Sequence, residues 1–194
     1  MKNIIFATTN KGKFLSAKRV LQEYDIEVLQ ADIELPESQS SLEIIAANKV
    51  KYALKELDKP VIAMDAGFFI YSLNGFPMMY VKPILQTIGI EGILKLVEGR
   101  SRGCEFREVL CFLDHSENKP KFFTRIVKGT LAHEKSGKMH DKHWSELALI
   151  FIPDGFSKTM ASMDDSEYAL FRKSVESNSH FEQFGKFYKS YTQK

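Results

Sequence analysis

The sequence predicts an α/β protein: a mixed, twisted sheet flanked by helices, with a second, smaller lobe that carries an antiparallel hairpin. Over the first third of the chain, short apolar β-prone runs alternate with segments of helical period, in the order strand, helix, strand, helix, strand. Two longer β-prone runs, Cys104 to Leu113 and Phe122 to Leu131, are then separated only by Asp114 to Pro120, a stretch of turn composition. At 194 residues, with 44% hydrophobic and 27% charged content, the chain is long enough for one core, or for a core with a small lobe.

Taken in order, Asn3 to Thr8 reads as a strand through Ile4, Ile5 and Phe6. A helix follows from about Gly12 to Tyr24, because Phe14, Leu15, Ala17, Val20, Leu21 and Tyr24 share one face. Val28 and Leu29 mark a short second strand. Ser40 or Ser41 caps a helix through Leu42, Ile45, Ala46, Tyr52, Ala53 and Leu57, and Pro60 turns the chain into an apolar strand, Val61 to Met64. Pro83 to Glu98 is helical and interrupted around Gly89 and Gly92. After the hairpin comes a polar loop, His133 to His143, then a strand at Leu147 to Ile152 and two helices. The last helix repeats Phe181, Phe184, Phe187, Tyr188 and Tyr191 at helical spacing, a stripe that reads as core or dimer contact. With no repeat and no linker, residues 1–194 form a single domain, with one lobe at about 1–100 and 145–194 and the other at about 101–144.

Charge and cysteine content narrow the function. Lys and Arg number 27 against 25 Asp and Glu, a net +2, so no broad basic face for nucleic acid or anionic membrane is expected. A small anionic ligand fits better. No apolar run reaches bilayer length, and the run near Met1 is too short for a signal peptide, so a cytoplasmic protein is expected. Cys104 and Cys111, seven apart in one strand, read as reduced packing residues rather than a disulfide or zinc ligands.

The most informative stretch is Phe6 to Lys13, reading Phe-Ala-Thr-Thr-Asn-Lys-Gly-Lys at a strand-to-helix turn. The first N–H groups of a helix are unpaired and its dipole is positive there, so a phosphate can sit on them. Thr8, Thr9 and Asn10 can cap the helix or donate to an oxygen, Gly12 permits close approach, and Lys11 and Lys13 add positive charge. Plain capping uses the same residues, and this stretch alone allows both readings. Asp65 follows a buried strand and precedes Ala66 and Gly67, so its carboxylate emerges where a metal or an attacking water could be held. Glu34, Glu37 and Glu43 precede it as candidate second carboxylates. His140, Asp141, His143 and Glu146 read as solvated loop residues rather than a metal site, and Trp144 is open between packing and stacking on a base.

These residues occur in a familiar order. Ala-Thr-Thr-Asn-Lys-Gly-Lys at 7–13 is followed by Leu-Pro-Glu at 35–37, Leu42, Glu43, Lys49, Asp-Ala-Gly at 65–67 and Leu-Asn-Gly-Phe-Pro at 73–77. Tyr80, Phe-Ile-Pro-Asp-Gly at 151–155, Thr159, Ala161 and Met163 complete the series. In these the chain resembles the Ham1-like (inosine triphosphate pyrophosphatase) family from about residue 4 to 175. The resemblance implies a homodimeric α/β protein that uses Mg²⁺ to split a nucleoside triphosphate between its α and β phosphates, releasing a monophosphate and pyrophosphate. Deaminated purine nucleotides, inosine and xanthosine triphosphates, are the substrates it implies. By position, Thr8, Thr9, Asn10 and Lys13 hold the triphosphate and Lys49 matches a lysine of the second helix. Asp65 is assigned metal binding and water activation; beside it, Glu43 is a candidate second carboxylate for the metal, and Arg172 and Lys173 are open between neutralising phosphate and plain surface charge.

Departures from the family pattern are equally specific. Met64 stands where the pattern has an acid, Ala66 where it has serine, and Ile44 where it has a metal-binding glutamate. Trp144 to Leu149 replaces a glycine-rich loop. Tyr168 and Arg172 to Ser174 replace a lysine and a Ser-His-Arg triplet. A thioether cannot hold Mg²⁺, which requires hard oxygen ligands. Two functions therefore stand side by side: a divergent nucleoside triphosphate pyrophosphohydrolase, and a catalytically impaired nucleotide-binding or interaction protein in which Met64, Ile44 and Leu147 fill the site.

Overall fold

The computed structural model describes residues 2–33, 41–116, 119–141, 143 and 145–192, so Glu34, Glu37, Ser40 and Trp144 lie outside the described residues. The chain forms two compact units, the first from residues 1–66, 108–125 and 177–194, the second from 67–107 and 126–176.

In the first unit, β1 (Lys2–Ala7), α1 (Lys11–Gln22), β2 (Ile26–Ala31), α2 (Leu42–Leu57) and the opening of β3 (Val61–Ile70) follow one another. Helical crossovers make the strands parallel: β1 runs beside β2 from Lys2 opposite Ile26 to Ala7 opposite Ala31, and beside β3 at Ile5 with Val61 and Phe6 with Ile62. The end of β5 (Gly103–Leu113), the start of β6 (Lys121–Leu131) and α6 (His180–Tyr191) complete the unit. β5 and β6 are neighbours, and the segment between them is too short for a parallel crossover, as expected of a hairpin. Ile4, Phe6, Val20, Leu21, Ile62, Met64, Leu110 and Phe112 build the core with the aromatic stripe. Phe181, Phe184 and Tyr188 are buried, and the Phe112 ring lies 5.5–5.7 Å from Phe184, Phe187, Tyr188 and Tyr191. The stripe is core, each ring contributing on the order of 2 kcal/mol of burial.

The second unit contains β4 (Pro77–Met78), α3 (Val81–Thr87), α4 (Gly89–Leu96), β7 (Phe151–Pro153) and α5 (Asp165–Glu176). The strands follow the order β2-β1-β3-β5-β6-β7, with β4 antiparallel to β3 and β7 antiparallel to β6, so the sheet is mixed. Phe68, Phe106 and Phe151 centre this unit's core at 4.7–5.9 Å between rings. Asn74 and Gly75, both at positive φ, turn the chain so that Phe68 meets Met78. Gly67 is required by the same contact, since a Cβ there would lie 2.7 Å from the Met78 carbonyl oxygen. The expected strand at Leu147 to Ile152 is corrected: Glu146–Leu149 wind a 3₁₀ turn, because Ser145 Oγ accepts from Leu147 N–H at 3.2 Å, and only Phe151–Pro153 pair as strand. Leu147 and Ala148 still reach the core, which is why their apolar run looks like a strand. The interrupted helix divides at Gly89, φ +65°, into α3 and α4.

Cys104 and Cys111 are free and buried; burial pushes both thiols up, that of Cys111 to about 12. Among the described residues no helix is long and apolar enough to cross a membrane.

Candidate active site

Strand order locates the site. β1 leads to β2 on one flank, while β3 lies on the other, so the connections diverge at the carboxyl end of β1, where open α/β sheets receive ligands. Thr8 to Asn10 occupy that end. On β3, Val61, Ile62, Ala63 and Met64 are covered, and Asp65 is the first residue to reach a partly open position.

Asn10 is the N-cap of α1: its Oδ1 accepts from Lys13 N–H at 2.9 Å, and Thr8 Oγ1 accepts from Asn10 N–H at 3.1 Å. Capping and phosphate binding are therefore compatible here. The cap uses these oxygens as acceptors, whereas the Asn10 Nδ2 donors, the Thr8 hydroxyl proton and the Lys11 and Gly12 amides have no acceptor among the described residues. Thr9 is exposed. Asn10→Ala is expected to cost about 1 kcal/mol, a drop in Tm of roughly 2–4 °C by thermal melt. An unchanged Tm would show that the cap carries no stability.

Lys49 sits more than a turn into α2, and its Nζ donates to Asp65 Oδ1 at 2.8 Å, with side-chain exposures of 18% and 16%. Lys13 is half-buried, and its side-chain ammonium has no hydrogen bond or ion pair among the described residues. Burial pulls its ammonium below the usual range, Asp65 opposes this, Lys49 adds to it and Glu108 opposes it. Three expected residues, Lys13, Lys49 and Asp65, are thus brought together. Arg172 and Lys173 lie on α5 in the second unit, where Arg172 Nε donates to Glu176 Oε1 at 2.8 Å; the cluster around Lys13 is built from the first unit alone.

Sequence reasoning missed Glu108, Arg125 and His180. Arg125 donates to Glu108 Oε2 through both Nε and Nη2, and His180 Nδ1 lies 3.8 Å from the same oxygen. Burial raises the Glu108 carboxyl, but Arg125, His180, the hydrogen bond from Arg125 and Lys13 outweigh it and hold it below the ordinary carboxylate range. Burial drives His180 down to about 3, with Glu108 opposing and Arg125 and Lys13 assisting. A neutral buried histidine has a lower folded than unfolded pKa, so its contribution to stability is complete above about 6.5 and is lost as pH falls towards 3. His180→Phe is expected to make the acid loss of stability less steep, by up to roughly 3 kcal/mol between pH 7 and 4 in urea melts. Parallel profiles for native and variant would refute this. A signal was present in the sequence: Glu108 falls within an apolar strand and His180 on the aromatic face of the last helix.

The donor set suits a cation that is carried largely by a nucleotide. Mg²⁺ is commonly held by one or two carboxylates plus substrate phosphates, and Asp65 Oδ2 has no partner among the described residues. Glu43 is exposed in the first turn of α2, and no group of three His, Cys, Asp or Glu placed to hold a metal ion occurs among the described residues. Met64 and Leu147 pack into cores, whereas Ile44 is 51% exposed and fills nothing. His143 Nδ1 accepts from His140 N–H at 3.1 Å, which makes that pair a turn.

The family model described as the Ham1 family matches residues 4–173. The chain belongs to the Ham1 family. The dITP/XTP pyrophosphatase of Methanopyrus kandleri is 42% identical over 166 residues, 84% of this chain and 86% of the relative. Among solved structures, the Staphylococcus aureus Ham1 protein aligns with a TM-score of 0.76 at 25% identity, covering 99% of this chain and 98% of its own. A HAM1 protein from Coxiella burnetii aligns at 0.81 and 21% identity, covering 98% and 100%, and so shares the fold. Within this Ham1 chain, the matched region takes in the capped turn, Lys49, Asp65 and Glu108 alike.

Proposed function

We propose that this chain is a nucleoside triphosphate pyrophosphohydrolase acting on deaminated purine nucleotides. The observation that carries the reading is the helix N-terminus of α1, rich in free donors and carrying the half-buried Lys13 ammonium, unpaired among the described residues, in the same unit as the Lys49–Asp65 pair and electrostatically coupled to it. The dITP/XTP pyrophosphatase of Methanopyrus kandleri, at 42% identity, supports it.

In this mechanism the triphosphate tail lies on the α1 amides, with Asn10 Nδ2, the Thr8 hydroxyl and Lys13 donating to its oxygens. Asp65 accepts the proton of a water that attacks the α phosphorus, and Lys49 fixes the carboxylate by its bond to Oδ1. Lys13 and the helix N-terminus then stabilise the charge that develops on the departing pyrophosphate. Asp65 Oδ2 is the protein oxygen that would hold Mg²⁺, which when bound neutralises phosphate charge. The reading includes a homodimer, supported by large exposed apolar side chains between Tyr71 and Leu96, including Tyr80 and Ile88, and testable by sedimentation; it also places the protein in the cytoplasm, where nucleotide pools are.

Incubation with inosine triphosphate and Mg²⁺ is expected to release one pyrophosphate per monophosphate formed. Orthophosphate as the first product, or no turnover together with no binding, would refute the reading. A second reading, nucleotide binding without hydrolysis, is favoured by Met64 in the core and by the absence of a three-donor group among the described residues. Binding without pyrophosphate release would select it.

A further inference from the structure

The ladder between β1 and β2 gives out where the turn begins. Its last pair is Ala7 opposite Ala31, and Thr8 N–H still donates to Ala31 O at 3.1 Å, so the next pair in register would be Thr8 opposite Asp32. In a parallel ladder the Thr8 carbonyl would then accept from Ile33 N–H. Ile33 instead turns back on its own strand and donates to Ala31 O at 3.1 Å. A side chain takes its place: Gln30 Nε2 donates to the Thr8 carbonyl at 2.9 Å and, with its second hydrogen, to Asp32 Oδ1 at 2.8 Å.

Asp32 decides which way the amide faces. An ionised carboxylate accepts and does not donate, so it holds the nitrogen of the Gln30 amide, rather than the oxygen, at the Thr8 carbonyl. Both backbone groups of Thr8 are thus tied to β2, the N–H by Ala31 and the carbonyl by Gln30. From Thr8 the bonds run on into α1: Thr8 Oγ1 accepts from Asn10 N–H, and Asn10 Oδ1 accepts from Lys13 N–H. Asp32, Gln30, Thr8, Asn10 and Lys13 all belong to the first unit.

We propose that Gln30 is a positioning residue of the phosphate-binding turn: its amide, oriented by Asp32, replaces the missing ladder donor and fixes Thr8, so that the Asn10 carboxamide is already arranged when a triphosphate arrives. The proposal rests on the reading of this turn as the seat of the triphosphate tail. Without the Gln30 bond the segment from Thr8 to Asn10 has more conformations open to it, and the cost of ordering them falls on ligand binding. Gln30 and Asp32 are exposed, so the same bond contributes little to the stability of the fold, because water takes its place when it is lost. Affinity and stability should therefore respond differently to its removal.

The test is a calorimetric titration of α,β-methylene inosine triphosphate with Mg²⁺ on native protein, Gln30→Met, Asn10→Ala and the double variant, with a thermal melt of each. Gln30→Met keeps the length and neutrality of the side chain and removes its donors. It is expected to weaken binding by about fivefold, the weight of one hydrogen bond, while Tm shifts by less than about 2 °C. In the Asn10→Ala background, where the group that Gln30 arranges is gone, the same change is expected to weaken binding by less than about twofold. Native affinity in Gln30→Met overturns the proposal, and so does a full loss that persists in the double variant, since Gln30 would then act independently of Asn10. Should Gln30→Met fail to fold, Gln30→Thr, which suits a strand and is too short to reach Thr8, carries the same expectations and the same refutations. If Asn10→Ala binds as tightly as native, the phosphate-binding reading of the turn itself fails, whatever Gln30 does.

Discussion

Asp65→Asn is expected to lower pyrophosphate release by about a thousandfold, within the range removed with a general base, while affinity for a non-cleavable triphosphate stays the same or rises. Asparagine has the shape of aspartate and can still accept the Lys49 hydrogen bond through Oδ1, so the fold around β3 has little reason to change. What it loses is the capacity to take a proton and the charge that would hold a cation. A negative charge that faces a polyanion is also removed, which is why affinity should not fall with rate. Single-turnover measurement of pyrophosphate beside calorimetric affinity separates these effects. Parallel losses of rate and affinity would assign Asp65 to binding, and an unchanged rate would remove it from the chemistry altogether.

That Asp65 could be found from sequence follows from how locally its position is encoded. A run of apolar residues that ends in an acid and a glycine describes a strand leaving its cover, and here Val61 to Met64 are buried, Asp65 opens, and Gly67 lets β4 approach. The α1 cap was legible for the same reason, since Thr8, Asn10 and Lys13 act on backbone groups within five residues of one another. Leu147 to Ile152 misleads because its apolar side chains reach the core equally well from a 3₁₀ turn, and periodicity over so short a segment does not distinguish the two. Asn74 to Pro77, which resembles a family signature, serves the turn between β3 and β4 in the second unit. For Glu108, Arg125 and His180 the sequence held only a hint, an acid in an apolar strand and a histidine on an aromatic face, and not their meeting. A charged residue in a hairpin strand reads as its solvent face, and only the order β3-β5-β6 with α6 packed in the same unit encloses these three.

Their enclosure gives the largest stability effect expected of any single change near the site. Arg125→Met is expected to destabilise the protein by about 3–5 kcal/mol at pH 7, because it strips Glu108 of both hydrogen bonds from the guanidinium and leaves a nearly buried carboxylate facing a neutral imidazole. The pair itself need not be worth that much, since bringing two charges out of water costs several kcal/mol of what their attraction returns. The double variant Glu108→Leu with Arg125→Met should therefore recover most of the loss. Native Glu108 has a folded pKa below its unfolded value, so its contribution is present above about 4.3 and disappears as pH falls through the folded value. In Arg125→Met this dependence should reverse: with its main partner gone the carboxyl is raised by burial, and the variant should lose less stability than the native protein on acidification from pH 5 to pH 4. Urea melts of the native protein, the single and the double variant at both pH values measure all of this. Destabilisation of less than about 1 kcal/mol in Arg125→Met would mean that water reaches Glu108 freely and that the pair is not held as a buried one.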